Sequence, residues 1–164
     1  MKLVFIRHGL AEGHFSQDQN ADFERALTEE GIKRLRKTFK LFNKVVPKID
    51  VIFSSPLSRA IQTAEICWEY HQDSDLELMA DLDILDDPLH LVEYISFLPA
   101  DGCYAFVGHD PHLTTVIAAL LALHPEHEFM TLKKGGICVL EGRIWEGFTM
   151  ELLFSPKFLK AVTD

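Results

Sequence analysis

What this chain has little of narrows the field before any motif is considered. It holds only three cysteines, Cys67, Cys103 and Cys138, an odd count with no Cys-x-x-Cys pair. That pattern offers no disulfide framework and suits a reducing, cytoplasmic compartment. No apolar run approaches membrane-spanning length. Met1-Lys2 leads straight into a short strand-like run, without the longer apolar core and small-residue cleavage site of a secretory signal. Positive charge is also scarce: 16 Lys and Arg stand against 25 Asp and Glu, a formal net charge of −9. A broad phosphate-backbone-binding surface is thereby excluded, so nucleic acid and membrane are not expected partners, and any anion site must be a local basic pocket in an acidic shell. Repeats, low-complexity runs and Pro/Gly/Ser linkers are absent as well, so residues 1–164 are expected to form a single domain. With 48% hydrophobic and 25% charged residues, a chain of this length can bury roughly two-thirds of its unfolded surface. It needs neither metal nor disulfide to hold its core.

What is present is an alternation of strand-like and helix-like segments, the pattern of an α/β fold. Val4-Phe5-Ile6 reads as a buried strand ending abruptly in Arg7-His8-Gly9, where glycine allows a sharp turn or a close approach. The polar stretch from Leu10 to Ala26 lacks periodicity and is long for a structureless loop, which marks it as functional. Thr28 caps a predicted helix with Glu29 and Glu30 in its first turn, an apolar stripe of Ile32, Leu35, Phe39, Phe42 and Val46, and a solvated basic face. A second strand, Ile49 to Phe53, runs into Ser54-Ser55-Pro56-Leu57-Ser58-Arg59. Ser55 is the expected N-cap, Pro56 the first helical residue, and Leu57, Ile61, Ala64 and Trp68 the buried stripe.

The acidic segment Asp73 to Pro88 reads as a loop or short extended stretch, and Pro88 as the start of a helix through Leu91, Ile95 and Leu98. Cys103 to Val107 is another buried strand, delivering Gly108-His109-Asp110-Pro111-His112, with a helix from Leu113 to Leu123 behind it. Gly136–Glu141 and Thr149–Phe154 form a predicted hairpin, and Ser155-Pro156 opens a short terminal helix. Strand ends therefore present Arg7-His8, a helix start carrying Arg59, and His109. In α/β sheets ligands bind at the carboxyl ends of strands, and two arginines with two histidines make a compact anion site.

These motifs together resemble the histidine phosphatases, the phosphoglycerate-mutase-like superfamily, and among them the small SixA-type phosphohistidine phosphatases. The matching pieces are Arg7-His8-Gly9-Leu10-Ala11-Glu12, Leu27-Thr28-Glu29-Glu30-Gly31, Ser54 to Ala64 and Val107-Gly108-His109-Asp110-Pro111, in that order. The resemblance runs essentially end to end and leaves no room for the long inserts of the larger branches. It implies a three-layer α/β/α sandwich with a mostly parallel central sheet flanked by helices. It also implies a metal-independent, cofactor-free phosphatase that acts through a phosphohistidine on His8. Arg7, Arg59 and His109 would then bind the phosphoryl group.

The chemistry agrees with that implication. A neutral imidazole attacks phosphorus in line while fixed cations hold the equatorial oxygens, the role magnesium plays in other phosphoryl-transfer sites. Many relatives supply a glutamate as general acid, whereas the corresponding stretch here is Ala80-Asp81-Leu82-Asp83. Asp81 is the candidate acid, and a solvated loop carboxylate is the alternative. A weak acid favours phosphohistidine, because imidazole can leave already protonated whereas an ester oxygen needs a proton. The expected partner is a phosphohistidine-bearing signalling protein, with a small phosphorylated metabolite as the alternative. Two other classes stay open: a binding module without turnover, and a metal-dependent hydrolase using His109-x-x-His112 or His124-Pro125-Glu126-His127. The latter lacks three convergent ligands in its spacing.

Overall fold

The computed structural model describes residues 1–13, 22–122 and 129–158. Its strands are β1 (Lys2–Arg7), β2 (Val51–Ser54), β3 (Asp75–Leu78), β4 (Cys103–Gly108), β5 (Ile137–Arg143) and β6 (Gly147–Phe154). They form one sheet in the order β3-β2-β4-β1-β5-β6. β1, β2, β3 and β4 pair in parallel, while β5 and β6 are an antiparallel hairpin added beside β1. The helices are α1 (Glu29–Val45), α2 (Ser58–Trp68), α3 (Pro88–Ser96) and α4 (His112–Leu120). This is the phosphoglycerate-mutase-like α/β architecture, with helices on both faces of a mixed sheet.

Period-two alternation explains how short apolar runs serve two cores at once. In β1, Val4 and Ile6 face one core together with Ala105 and Val107 of β4, under Leu35, Phe39 and Phe42 of α1 and Ala60 and Ala64 of α2. Leu3 and Phe5 face the other core with Tyr104 and Phe106, under Leu91 and Ile95 of α3 and Leu113, Val116 and Ile117 of α4. There Phe106 stacks between Phe5 and Phe53, with ring centroids 5.5 and 5.4 Å away. Thr28 caps α1 as its sequence predicts, its side chain accepting from the Gly31 N–H at 2.9 Å. Asp87 caps α3, with Pro88 in the first turn.

Several local expectations are corrected. α2 starts at Ser58 behind Leu57, so Ser55 and Pro56 lie outside it and Arg59 falls in its first turn. Its buried face runs through Arg59, Ala60, Thr63, Ala64 and Cys67; Ile61 is half-buried and Trp68 exposed. The difference arises because the face is rotated by Arg59 turning inward, a feature that an apolar-stripe reading cannot register. The acidic segment does contain the expected short extended stretch, the exposed edge strand β3, and a 3-10 turn at Ala80–Leu82 follows it. Most of the stretch from Leu10 to Ala26 (residues 14–21), His124 to His127 and residues 159–164 lie outside the described residues. Among those described, no helix is long and apolar enough to cross a membrane.

Candidate active site

Parallel register sets the site. Arg7 pairs with Gly108, and Ser54 with Val107, so β1, β4 and β2 end side by side. The next residue of each chain, His8, His109 and Ser55, emerges at the same edge. Backbone bonds continue the ladder past the strands, from His8 N–H to the Gly108 carbonyl at 3.0 Å and from Ser55 N–H to the Val107 carbonyl at 2.9 Å. The imidazoles of His8 and His109 consequently face each other with centroids 5.2 Å apart.

The tautomer of His8 follows from its partner. Nδ1 of His8 lies 2.7 Å from the Gly9 carbonyl, which can only accept, so Nδ1 carries the proton and Nε2 keeps its lone pair. Nε2 of His109 lies 2.8 Å from Ser55 Oγ. That oxygen also accepts from the Leu57 N–H at 3.4 Å, so Ser55 holds the His109 ring against the chain leaving β2. Burial, and then the nearby cations Arg59, Arg7 and Lys134, push His8 down from 6.5 to about 3. Burial first, then His8 and Arg59, push His109 down to about 2. Both rings are therefore neutral at physiological pH, and Nε2 of His8 keeps a free lone pair.

Arg59 is the largest fully buried side chain among the described residues. A guanidinium is expensive to bury unless paired. Its partner is Asp22, whose carbonyl accepts from one terminal nitrogen at 2.7 Å and whose carboxylate accepts from the other at 3.0 Å. The same carboxylate lies 2.8 Å from Arg25 Nε, so Asp22 bridges two arginines. Arg7 donates to the Leu132 carbonyl at 2.8 Å and stands 3.5 Å from Asp110. Arg7 Nε and Arg59 Nε are buried donors, and His109 Nδ1 a buried ring nitrogen, without a partner among the described residues. Two guanidinium donors and an imidazole at one sheet edge suit a group with several acceptor oxygens.

The structure thus brings together Arg7, His8, Arg59 and His109 from distant parts of the chain. Ser55, Asp22, Arg25 and Thr63 were not picked out as site residues from the sequence. Thr63 Oγ1 accepts from the Gly9 N–H at 3.1 Å and donates to the Arg59 carbonyl at 2.7 Å, tying the turn after β1 to α2. Gly9 packs closely under α1: a Cβ there would lie 2.6 Å from the Leu35 side chain, which would have to shift. Asp81 is half-buried in the 3-10 turn beside the fully buried Leu82. Its charge acts on His112, His90 and Tyr94; that of Asp83 acts on His112 as well and reaches Arg59. Asp83, in the same acidic stretch, is accordingly a second acidic candidate beside Asp81. Among the described residues, no group of three or more His, Cys, Asp or Glu side chains is placed to hold a metal ion.

An oxyanion-binding edge on an α/β sheet, with a neutral histidine in its middle, defines a class of phosphoryl-handling proteins. The chain belongs to the histidine phosphatase superfamily (branch 1), whose family model matches residues 3–84. An uncharacterized protein of Picosynechococcus sp. is 32% identical over 167 residues, covering 97% of this chain and 99% of the relative. A 2,3-bisphosphoglycerate-dependent phosphoglycerate mutase of Streptococcus mutans is 36% identical over 70 residues, which are 43% of this chain and 30% of the mutase. Among solved structures, the protein histidine phosphatase SixA complexed with tungstate superposes with a TM-score of 0.83 at 22% identity, covering 97% of this chain and 99% of that one.

Proposed function

We propose that this protein is a phosphatase that works through a phosphohistidine on His8, acting on phosphohistidine in a signalling protein in the cytoplasm. The observation that carries the reading is the His8 ring itself: its Nδ1 proton is held by Gly9, and its free Nε2 shares the sheet edge with Arg7, Arg59 and His109. Nε2 attacks phosphorus as the bond from phosphorus to the leaving nitrogen or oxygen breaks. Arg7, Arg59 and His109 hold the equatorial oxygens, and the leaving atom takes up a proton. Water then attacks the phosphohistidine, returning neutral His8 and inorganic phosphate. Charge supports this reading too: three arginines, Arg7, Arg25 and Arg59, share the two carboxylates of Asp22 and Asp110, so the edge keeps unbalanced positive charge for a phosphoryl group. No step calls for a metal.

Phosphohistidine is preferred over esters as substrate because the acidic turn offers aspartates, Asp81 and Asp83, and imidazole leaves without strong acid help. The likeness to a phosphoglycerate mutase supports a second reading, a phosphatase or mutase of small phosphomonoesters. A turnover assay decides between them, comparing a phosphohistidine peptide, an aryl phosphate and sugar phosphates, with and without chelator. The first reading expects the peptide to be the best substrate, acid-labile phosphate trapped on the wild type, and no turnover by His8→Ala. Activity retained in His8→Ala would end both readings.

A further inference from the structure

Arg25 reaches the site through a carboxylate rather than by itself. The chain that follows it is held by three bonds. The Glu12 N–H donates to the Ala26 carbonyl at 2.8 Å, the Thr28 N–H to the Leu10 carbonyl at 2.9 Å, and the Leu27 N–H to Gln62 Oε1 at 2.7 Å. They tie residues 26–28 to the turn after His8 and to α2, close to Arg59. The Arg25 side chain lies inward, only 15% exposed, with its Nε 2.8 Å from one oxygen of the Asp22 carboxylate. The other oxygen accepts from Arg59 at 3.0 Å.

One carboxylate thus serves two guanidiniums, and the charge of the cluster depends on Arg25. Asp22 occupies both terminal nitrogens of Arg59, through its carbonyl and its carboxylate, which leaves Nε as the donor for an oxyanion. The same grip sets a negative charge against the arginine that must hold a phosphoryl group. With Arg59 alone, Asp22 would form a neutral pair whose carboxylate repels an incoming oxyanion. With Arg25 on its far oxygen, the three side chains carry a net positive charge. That charge is little screened, because Asp22 is 10% exposed and Arg59 2%. Burial makes the Arg59 cation harder to keep, an effect that Asp22 offsets and Arg25 increases, so both neighbours are felt at Arg59. Among the described residues, Arg25 has no other carboxylate within ion-pair distance.

We propose that Arg25 is a positioning residue for phosphoryl transfer: it shares the Asp22 carboxylate, so that Asp22 orients Arg59 without cancelling its charge. The proposal rests on the phosphoryl-pocket reading above. Arg25 acts through Asp22 on the arginine that holds the phosphoryl oxygens, and does not touch them itself.

A double-mutant cycle with Asp22 tests this, read as vanadate inhibition and as kcat/KM for an aryl phosphate. Arg25→Gln should weaken vanadate inhibition and lower kcat/KM by about tenfold each, the lower end of what losing a supporting partner costs a binding group. Arg25→Lys keeps a charge beside Asp22 and should restore most of both. In an Asp22→Asn background there is no carboxylate to share, so adding Arg25→Gln should cost at most about twofold more. Lys37→Gln removes an equal charge from the exposed face of α1 and should change neither readout. Wild-type vanadate inhibition in Arg25→Gln overturns the proposal. So does a further tenfold loss in the Asp22→Asn background, which would put Arg25 on the phosphoryl group itself. Arg25→Lys behaving like Arg25→Gln overturns it as well. Urea unfolding of each variant shows whether it is folded. Where Arg25→Gln is too unstable to assay, Asp22→Asn compared with the double variant, whose net charge equals that of wild type, decides on its own. Failure of the underlying reading is separately visible, because His8→Ala would then still turn over the aryl phosphate.

Discussion

Ser55 Oγ stands 2.8 Å from Nε2 of His109, joining the chain that leaves β2 to the chain that leaves β4. The contact fixes the ring orientation of His109. Ser55→Ala should therefore lower turnover by roughly 10- to 100-fold, since it leaves a buried ring nitrogen unsatisfied and frees the ring. Thermal stability should change much less than rate. Steady-state kinetics and a melting curve on the same sample check this, and an unchanged kcat would remove Ser55 from the site.

Asp22 is the only carboxylate among the described residues within ion-pair distance of Arg59. Asp22→Ala should destabilise the fold by about 3 kcal/mol, because it leaves a buried guanidinium uncompensated. Asp22→Asn keeps the shape and the carbonyl contact, so it should lose less stability while still weakening vanadate inhibition through a looser Arg59. Urea unfolding together with vanadate titration separates the two effects. Equal stability of wild type and Asp22→Ala would show that the pair does not hold the arginine.

Leaving-group dependence assigns the acid. If Asp81 protonates an oxygen leaving group, Asp81→Asn should slow alkyl phosphates most, good aryl leaving groups less and phosphohistidine hardly at all. Asp83→Asn is the matched variant, because the Asp83 carboxylate is the one whose charge reaches Arg59. Whichever variant shows the graded pattern in kcat/KM carries the acid. Uniform effects across the three leaving groups would make that aspartate structural.

Acid should destabilise the fold through the site itself. The two histidines are held neutral, with His8 lowered to about 3 and His109 to about 2 from an ordinary 6.5. The unfolded chain binds protons on both as pH falls below 6.5 and the folded chain does not. Their contribution is complete above 6.5 and is lost as pH falls toward the folded values, by up to about 1.4 kcal/mol per pH unit for each ring. Tm measured from pH 7 to 5 should fall, and more shallowly in His109→Asn than in wild type. Identical slopes would mean that His109 is not kept neutral.

Much of the molecule is legible in the chain read alone. Alternating runs such as Val4-Phe5-Ile6 and Cys103 to Val107, and capped helices such as the one behind Thr28, announce an α/β sheet because strand pleating and helix capping are local physics. Arg7, His8, Arg59 and His109 are visible for the same reason, as polar residues placed abruptly at the ends of apolar runs. Tertiary structure decided the rest. Arg59 turns inward and Trp68 outward because Asp22, 37 residues away, compensates the guanidinium. Ser55 becomes the partner of His109 rather than a helix cap because β2 lies beside β4 in register. The charge of Asp83 reaches Arg59 because the 3-10 turn folds over the end of β4, with Leu82 against Gly108. Each of these depends on strand order and register, which join residues far apart in sequence, and no local pattern encodes which distant partner a polar side chain will meet.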